Sequence, residues 1–428
     1  MKKIVIVGGG AGGLALATQL GKKLGKSGKA DVTLVDKNTN HLWKPLLHEI
    51  ATGSLNDELD NVNYLVQAKN NYFSFKQGQL IDINREQKTI KLNNINDHQN
   101  QTIFPETVLN YDILVMAIGS TSNDFGTPGV KENCIFLDDQ ESAKKFRKSF
   151  LSTLFRISSG LDTKDKLNIT IVGAGATGVE MTTELFKMVD TIGYYGFKKL
   201  SSELLNITII EATDRILGAL PENTAKDIHL KLEEFGAKIL TKTKIVKADE
   251  NHFYPEGQEP IPADIMLWTA GVKAPDFLKD IAALETNRAN QLVVKSTLQT
   301  SRDEAIFAIG DCACCAKSGG GFTPATAQAA HQMAAICYKN IVALINNQPL
   351  KTFEYNNKGT IISLAHTAQG VITTIGEKQM GVKGWFASCI YTMLYRFHQI
   401  SLFGIFKTLR LVSANRVYRS IRTKINME

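Results

Sequence analysis

Two glycine-rich turns carry the chemistry that is most directly readable in this chain. Residues 3–13, KIVIVGGGAGG, and residues 168–178, NITIVGAGATG, are each a short β-branched run closing on G-x-G-x-x-G. The glycines are Gly8, Gly10 and Gly13 in the first turn and Gly173, Gly175 and Gly178 in the second. In such a turn the first glycine permits the sharp reversal after a strand, the second lets backbone approach a pyrophosphate, and the third lets the next helix pack closely. The anion then sits on the free amides of the helix start. Each turn is followed by a second apolar run ending in an acid placed to accept from a ribose diol, Asp36 in DVTLVDKN and Glu211 in NITIIEAT. One such motif is a weak sign. Two, each with strand, helix and acid in order, imply two dinucleotide-binding units. A carboxylate at Glu211 repels a 2′-phosphate, and Ala212 and Thr213 bring no arginine, so NADH is favoured over NADPH. Arg215 is the nearby base that could soften this preference.

The elements that must position these residues repeat as well. YDILVMAIGSTS at 111–122 and ADIMLWTAGVKA at 263–274 are apolar strands ending in glycine, one in each half. A further strand, AIFAIGDCA at 305–313, ends in Gly310-Asp311. Its carboxylate could accept from the ribityl chain of a flavin or cap the helix that follows.

Composition sets the frame. The chain has 428 residues, 43% hydrophobic and 21% charged, enough for two ordinary domains and a small third. Six cysteines in so long a chain do not make a disulfide framework and suggest a reducing compartment. Lys2, Lys3 and the IVIV run mimic a signal peptide, but the five glycines between residues 8 and 13 make a poor apolar helix, and the pattern recurs deep in the chain.

The order GGGAGG, AIGS, GAGATG with its acid, then AIGDCA resembles the two-dinucleotide-binding-domain flavoprotein reductases. ILVMAIGSTSNDFGTPGV at 113–130, LWTAGVKA at 267–274, TPATAQAAHQM at 323–333 and HLWKPLLHEIATG at 41–53 further resemble the type II NADH dehydrogenases, single-subunit NADH:quinone oxidoreductases. The resemblance implies an α/β fold with two Rossmann-like dinucleotide-binding domains. An FAD domain is expected at 1–125 and 297–350, with an inserted NADH domain at 126–296 and an amphipathic membrane-docking region at 351–428. FAD and NADH are the implied cofactors, and no metal is expected. Gly12, Lys44, Gly119, Gly271, Asp311 and Ala327 join the fingerprint residues as expected cofactor contacts. Gln328, His331 and Gln332 are expected at the quinone pocket, where Gln328 and His331, three apart on a helix, could bond a quinone carbonyl and His331 could supply a proton. Glu180, in GATGVE, is expected to reach the nicotinamide or flavin edge; a first-turn helix acid favoured by the helix dipole is the alternative. For His331 the alternative is a solvated helix histidine. Where the family often has SLG followed by basic residues, this chain has Ser363-Leu364-Ala365-His366, which leaves the far wall of that pocket open.

The formal charge of +7 is concentrated in one place. Residues 384–428 hold Arg396, Lys407, Arg410, Arg416, Arg419, Arg422 and Lys424 against Glu428 alone. The segment 384–412 is apolar, but Arg396 and Lys407 keep any uncharged run short of the ~20 residues a membrane span needs. Arg396, Gln399, Lys407 and Arg410 share one side of a continuous helix and Leu394, Leu402, Ile405, Leu409 and Val412 the other, with Gly404 expected to break it in two. With Trp385, Phe386, Tyr391, Tyr395 and Phe406 this reads as a segment lying on an anionic membrane surface. A core-packing or dimer-forming helix is the alternative, and a homodimer is among the allowed assemblies. A chain cut before Trp385 is expected to keep its flavin yet stay off vesicles. A nucleic-acid role is disfavoured, because aromatic residues interleave the charges and no recognition motif occurs.

The expected activity is non-pumping NADH:quinone oxidoreduction in a respiratory chain, by a peripheral protein on the cytoplasmic face of the inner (plasma) membrane. A sulfide:quinone oxidoreductase would need redox cysteines beside the flavin, and Cys312, Cys314 and Cys315 sit elsewhere in the pattern. A flavin- and NADH-binding interaction protein is the rival of another class.

Overall fold

The computed structural model describes residues 1–55, 61–97, 99–373, 378–421, 423 and 425–427, with the side chains of 418–420 left out. Arg422, Lys424, Glu428 and the Arg419 side chain, all counted in the tail's charge, lie outside the described residues.

The first β-branched run forms strand Lys2–Val7, central in an eight-stranded sheet. Its neighbours are Ala30–Asp36, which carries the acid at its end, and Ile113–Met116, both parallel to it. Asp303–Ala308 runs parallel beside Ile113–Met116. Such strands are buried on both faces, which explains their continuous apolar runs. The second run forms strand Leu167–Val172 of a five-stranded all-parallel sheet, between Leu205–Ile210 and Ile265–Trp268. The two glycine-ended segments, Ile113–Met116 and Ile265–Trp268, therefore hold equivalent places. Just past them Thr121–Ser122 and Val272–Lys273 pair antiparallel and bind the halves together.

Two expected boundaries move. The chain is back in the first sheet before 297: strand Leu292–Val294 pairs with Ala313–Cys315 there, and Leu278, Ile281 and Leu284 lie in the first core. Nor does 351–428 begin as a membrane region. Gly359–Leu364, Thr367–Thr373 and Gln379–Gly384 form an antiparallel meander whose Ile362, Leu364 and Val371 are buried in the second core. That core also takes Leu47 and Ile50 from the first segment.

The tail folds as helix Trp385–Phe403, then Gly404 at φ +81°, then helix Ile405–Ile421. The expected basic and apolar sides do not survive. Gln399 and Leu402 are both buried, whereas Leu394, Ile405 and Leu409 are exposed. Gly404 breaks the helical phase on which that division depended. The inward positions of the first helix are claimed by polar partners, among them Gln67, whose side chain donates to Leu402 O at 3.0 Å. Among the described residues no helix is long and apolar enough to cross a membrane.

Candidate active site

Both phosphate turns have the shape the motif requires. Gly8 and Gly173 sit at φ +104° and +103°, where a side chain would be strained. At Gly10 and Gly175 an added Cβ would meet nothing within 4 Å, and neither helix start, Ala11 or Ala176, has a side-chain cap. These are open, amide-lined cradles, and they fit the pyrophosphates of two dinucleotides. Gly12 lies against Ile309, just past strand Asp303–Ala308, and the helix Ala327–Ile345, an added Cβ coming within 3.1 Å of Ala330 O.

The acids brace their turns. Asp36 Oδ2 accepts from Gly9 N at 2.7 Å, and burial raises its pKa against the opposing pull of backbone amides. Glu211 Oε2 accepts from Ala174 N at 2.9 Å, while its Oε1 accepts from Thr213 N at 2.9 Å. Arg215 turns away from this position, donating to Leu220 O and Gly218 O.

Asp311 does not cap the next helix; Thr326 does, accepting from Ala329 N. Asp311 instead accepts from Ser120 Oγ at 2.8 Å, and Lys44 Nζ donates to Ser120 O at 2.8 Å. Lys44, Ser120 and Asp311 thus gather beside Gly119, which has a φ of +82° and open space around it. Gly271 is close-packed, an added Cβ falling 2.4 Å from the Phe125 ring.

Glu180 is the most perturbed acid of the site. It is the fifth residue of helix Ala176–Tyr194 and only 6% exposed, so it is no solvated first-turn acid. Its Oε1 accepts from Ser363 N at 3.0 Å, and His48 Nδ1 lies 3.5 Å from Oε2. Burial lifts its pKa to about 8, with the Glu49 and Glu184 carboxylates pushing the same way and the Ser363 amide and Tyr391 hydroxyl opposing. His48 is pushed down to about 4, mainly by burial. At neutral pH the pair is therefore a carboxylic acid beside a neutral imidazole, not an ion pair. Glu184, one turn on, accepts from Ser54 Oγ and from Lys187 Nζ, which also reaches Ala365 O. Ser363 and Ala365 of the meander thus close over Glu180 and the Glu184–Lys187 pair.

On helix Ala327–Ile345 the three expected quinone-site residues part company. Gln328 Oε1 accepts from Lys358 N and Tyr355 OH, and its Nε2 donates to Gly359 O. Gln332 clamps both backbone groups of Asn356, at 2.8 and 3.0 Å. Both amides are engaged in tying the segment before the meander to the helix. His331 is half-buried, beside Trp43 at 5.7 Å between ring centroids, and Nε2 bonds to His398 at 3.0 Å. Sequence reasoning gave no role to His41, although it opens the HLWKPLLHEIATG segment, or to His398, which lies in no motif; apart from that segment the signal was their scarcity, two of eight histidines in the chain.

The cysteines after Asp311 are buried small residues. Cys312 Sγ bonds to the carbonyls of Ile309 and Met116, and burial pushes its thiol up to about 11.

Two dinucleotide cradles, one on the parallel strands of a mixed sheet and one on an all-parallel sheet, define a flavoprotein reductase of the double-dinucleotide type. The family profile described as pyridine nucleotide-disulphide oxidoreductase matches residues 2–334. A type II NADH:quinone oxidoreductase of Haemophilus influenzae is 45% identical over 443 aligned positions covering all of both chains. One from Staphylococcus aureus is 28% identical over 90% of this chain and 92% of its own. An NDH2 from Plasmodium falciparum, solved in complex with NADH, shares the fold at a TM-score of 0.83 and 20% identity, over 100% of this chain and 99% of that one. The chain belongs to the pyridine nucleotide-disulphide oxidoreductase family and, within it, to the type II NADH:quinone oxidoreductases.

Proposed function

We propose that the chain oxidises NADH through bound FAD and delivers the electrons to a membrane quinone, without pumping protons. The observation that carries the reading is the pair of matched cradles, each with its own acid, in a chain aligned end to end with a relative of that activity. FAD supplies the hydride-accepting and electron-returning chemistry. The protein does the rest. Gly10 and the helix start at Ala11 hold one pyrophosphate, with Asp36 on its ribose and Asp311 and Ser120 toward the flavin's polyol. Gly175 and the start at Ala176 hold the other pyrophosphate, with Glu211 on the NADH ribose. Glu180, neutral at pH 7, keeps a proton on its carboxyl in a site closed by Ser363 and Tyr391, and it can give that proton without first recruiting one from water. His331 borders the quinone pocket. Gln328 and Gln332 shape its wall through the segment they clamp.

An absorbance spectrum tests this. The purified protein should show a flavin band that bleaches on adding NADH and returns with a short-chain quinone. Absence of flavin would sink the reading, and slow stoichiometric reduction without turnover would favour a flavin-dependent interaction protein.

The membrane surface is the second part of the proposal. Trp385 is 80% and Phe406 83% exposed, with Phe386, Phe397 and Ile405 also outward and Lys407 and Arg410 beside them. Such a face suits the headgroup region of an anionic bilayer. The free thiols, five of six buried, support the reducing, cytoplasmic side. Deleting the tail at Trp385 is a poor test, because His398 and Leu402 are core residues. The double change Trp385→Glu with Phe406→Glu is cleaner. It should abolish sedimentation with phosphatidylglycerol vesicles while flavin and oxidation of NADH by a soluble quinone persist; undiminished sedimentation refutes the anchor. A second copy of the chain is the competing occupant of this face, and a dimer that the same changes dissociate would reveal it.

A further inference from the structure

Three histidines far apart in sequence form one hydrogen-bonded line. His41 Nδ1 lies 2.8 Å from Gly9 O, His41 Nε2 lies 2.8 Å from His398 Nε2, and His398 Nδ1 lies 3.0 Å from His331 Nε2. The inner end fixes the direction. A carbonyl oxygen can only accept, and Gly9 O already takes the Tyr64 hydroxyl at 2.8 Å, so His41 carries its proton on Nδ1 and offers a bare Nε2. A neutral His398 must then donate from Nε2 and accept at Nδ1. A neutral His331 in turn donates from Nε2, and its Nδ1 is left bare. Burial keeps all three rings neutral at pH 7, holding His41 and His331 down to about 4 and His398 well below its ordinary value. Trp43 stacks on His398 at 4.2 Å between centroids and fixes its ring plane.

We infer that His398 is a positioning residue that sets His331 as the Nε2–H tautomer, so that His331 presents a hydrogen-bond acceptor, suited to the hydroxyl of a quinol rather than to the carbonyl of a quinone. The inference rests on the reading that His331 borders the quinone pocket. It assigns the line a product-side task. The line conducts no proton away, because its inner end is a peptide carbonyl that takes none. The proton expected of His331 from the sequence must come from another group, and Glu180 holds one at neutral pH. The line also ties the tail to the flavin cradle, since His398 lies on the helix whose outer face is proposed to meet lipid.

The test uses flavin-loaded enzyme labelled with 15N in its eight histidines. Two-bond proton–nitrogen correlations at pH 7, assigned by single-histidine variants, report which ring nitrogen of each residue bears hydrogen. A bare Nδ1 on His331 and Nδ1–H on His41 are expected; Nδ1–H on His331 overturns the inference. His398→Phe keeps a ring against Trp43 but removes both nitrogens, whereas His398→Asn restores an acceptor near the Nδ1 position. In the Phe variant His331 should exchange between tautomers and gain an ionisation nearer the ordinary histidine value. Quinol product inhibition should weaken about fivefold, the worth of one hydrogen bond, and the Asn variant should recover most of it. An unchanged His331 tautomer in the Phe variant overturns the inference. A shifted tautomer with unchanged quinol inhibition keeps the positioning role and overturns only the placement of His331 beside the quinone.

Discussion

Gly8 and Gly173 begin turns of matching shape, and the acids Asp36 and Glu211 reach back to the same amide in each, at 2.7 and 2.9 Å. The surroundings differ. In the first turn Tyr64 and His41 both donate to Gly9 O, and the helix Ala327–Ile345 packs over Gly12. In the second, Gly175, Ala176 and Thr177 are all exposed. Gly10 and Gly175 are both open, so the same anion device differs only in its flank, where Gly12 is covered and the equivalent Thr177 is exposed. On the proposed assignment of FAD to the first turn and NADH to the second, the difference matches the two ligands' tasks: a flavin stays through many turnovers, while a nicotinamide nucleotide must enter and leave in each. The motif creates the affinity for phosphate, and what packs around it sets the lifetime.

The strongest way to break this comparison is to spoil both turns alike. A Cβ at Gly13 would fall 1.9 Å from Gly8 O, and one at Gly178 would fall 2.1 Å from Gly173 O, both backbone atoms that cannot swing aside. Gly13→Ala should purify without flavin absorbance. Gly178→Ala should keep its flavin, while KM for NADH rises about a hundredfold, equivalent to roughly 3 kcal/mol. Loss of flavin in both variants would show that the halves do not bind independently.

A smaller effect sharpens the roles of the acids. Glu211→Gln removes the charge that repels a 2′-phosphate but keeps an acceptor toward Ala174 N, so the preference for NADH over NADPH should fall about tenfold, roughly 1.4 kcal/mol. Asp36→Asn should leave that ratio unchanged and slow the return of flavin to stripped protein. The checks are kcat/KM for each nucleotide and the rate of flavin rebinding. A changed nucleotide ratio in Asp36→Asn would contradict the assignment of the turns.

The turns were legible because their backbone demands glycine at fixed spacing, and strand runs buried on both faces announce themselves by continuity. The cover was not. His41 and His398 meet across 357 positions, and nothing local marks a histidine as a bridge. Gln328 and Gln332 have the right types for a polar pocket, but whether an amide is free or engaged depends on the backbone of 355–359, which no spacing on their own helix encodes. The tail misled for a related reason. A helical wheel assumes that polar residues face water, and here His398 faces inward to His41 and His331 and Gln399 is buried against Arg396 of its own helix, while Trp385 and Phe397 face out.

Glu180 is where the uncovered half borrows a wall from the tail, and its pH dependence gives the smallest and most selective test. Its folded pKa of about 8 lies above the ordinary 4.5, so between those values the folded protein binds more protons than the unfolded chain. This contribution is fully present below about 4.5 and is lost as pH rises toward 8. His48, held down to about 4, acts in a separate window: its contribution is lost as pH falls below the ordinary 6.5. Glu180→Gln keeps an acceptor for Ser363 N without the ionisation. Its melting temperature should therefore gain on the wild type by a few degrees as pH rises from about 6 to about 8, a range that lies mostly above the His48 window. Equal pH slopes would mean that the carboxyl ionises freely, and then the wall formed by Ser363 and Tyr391 is not closed.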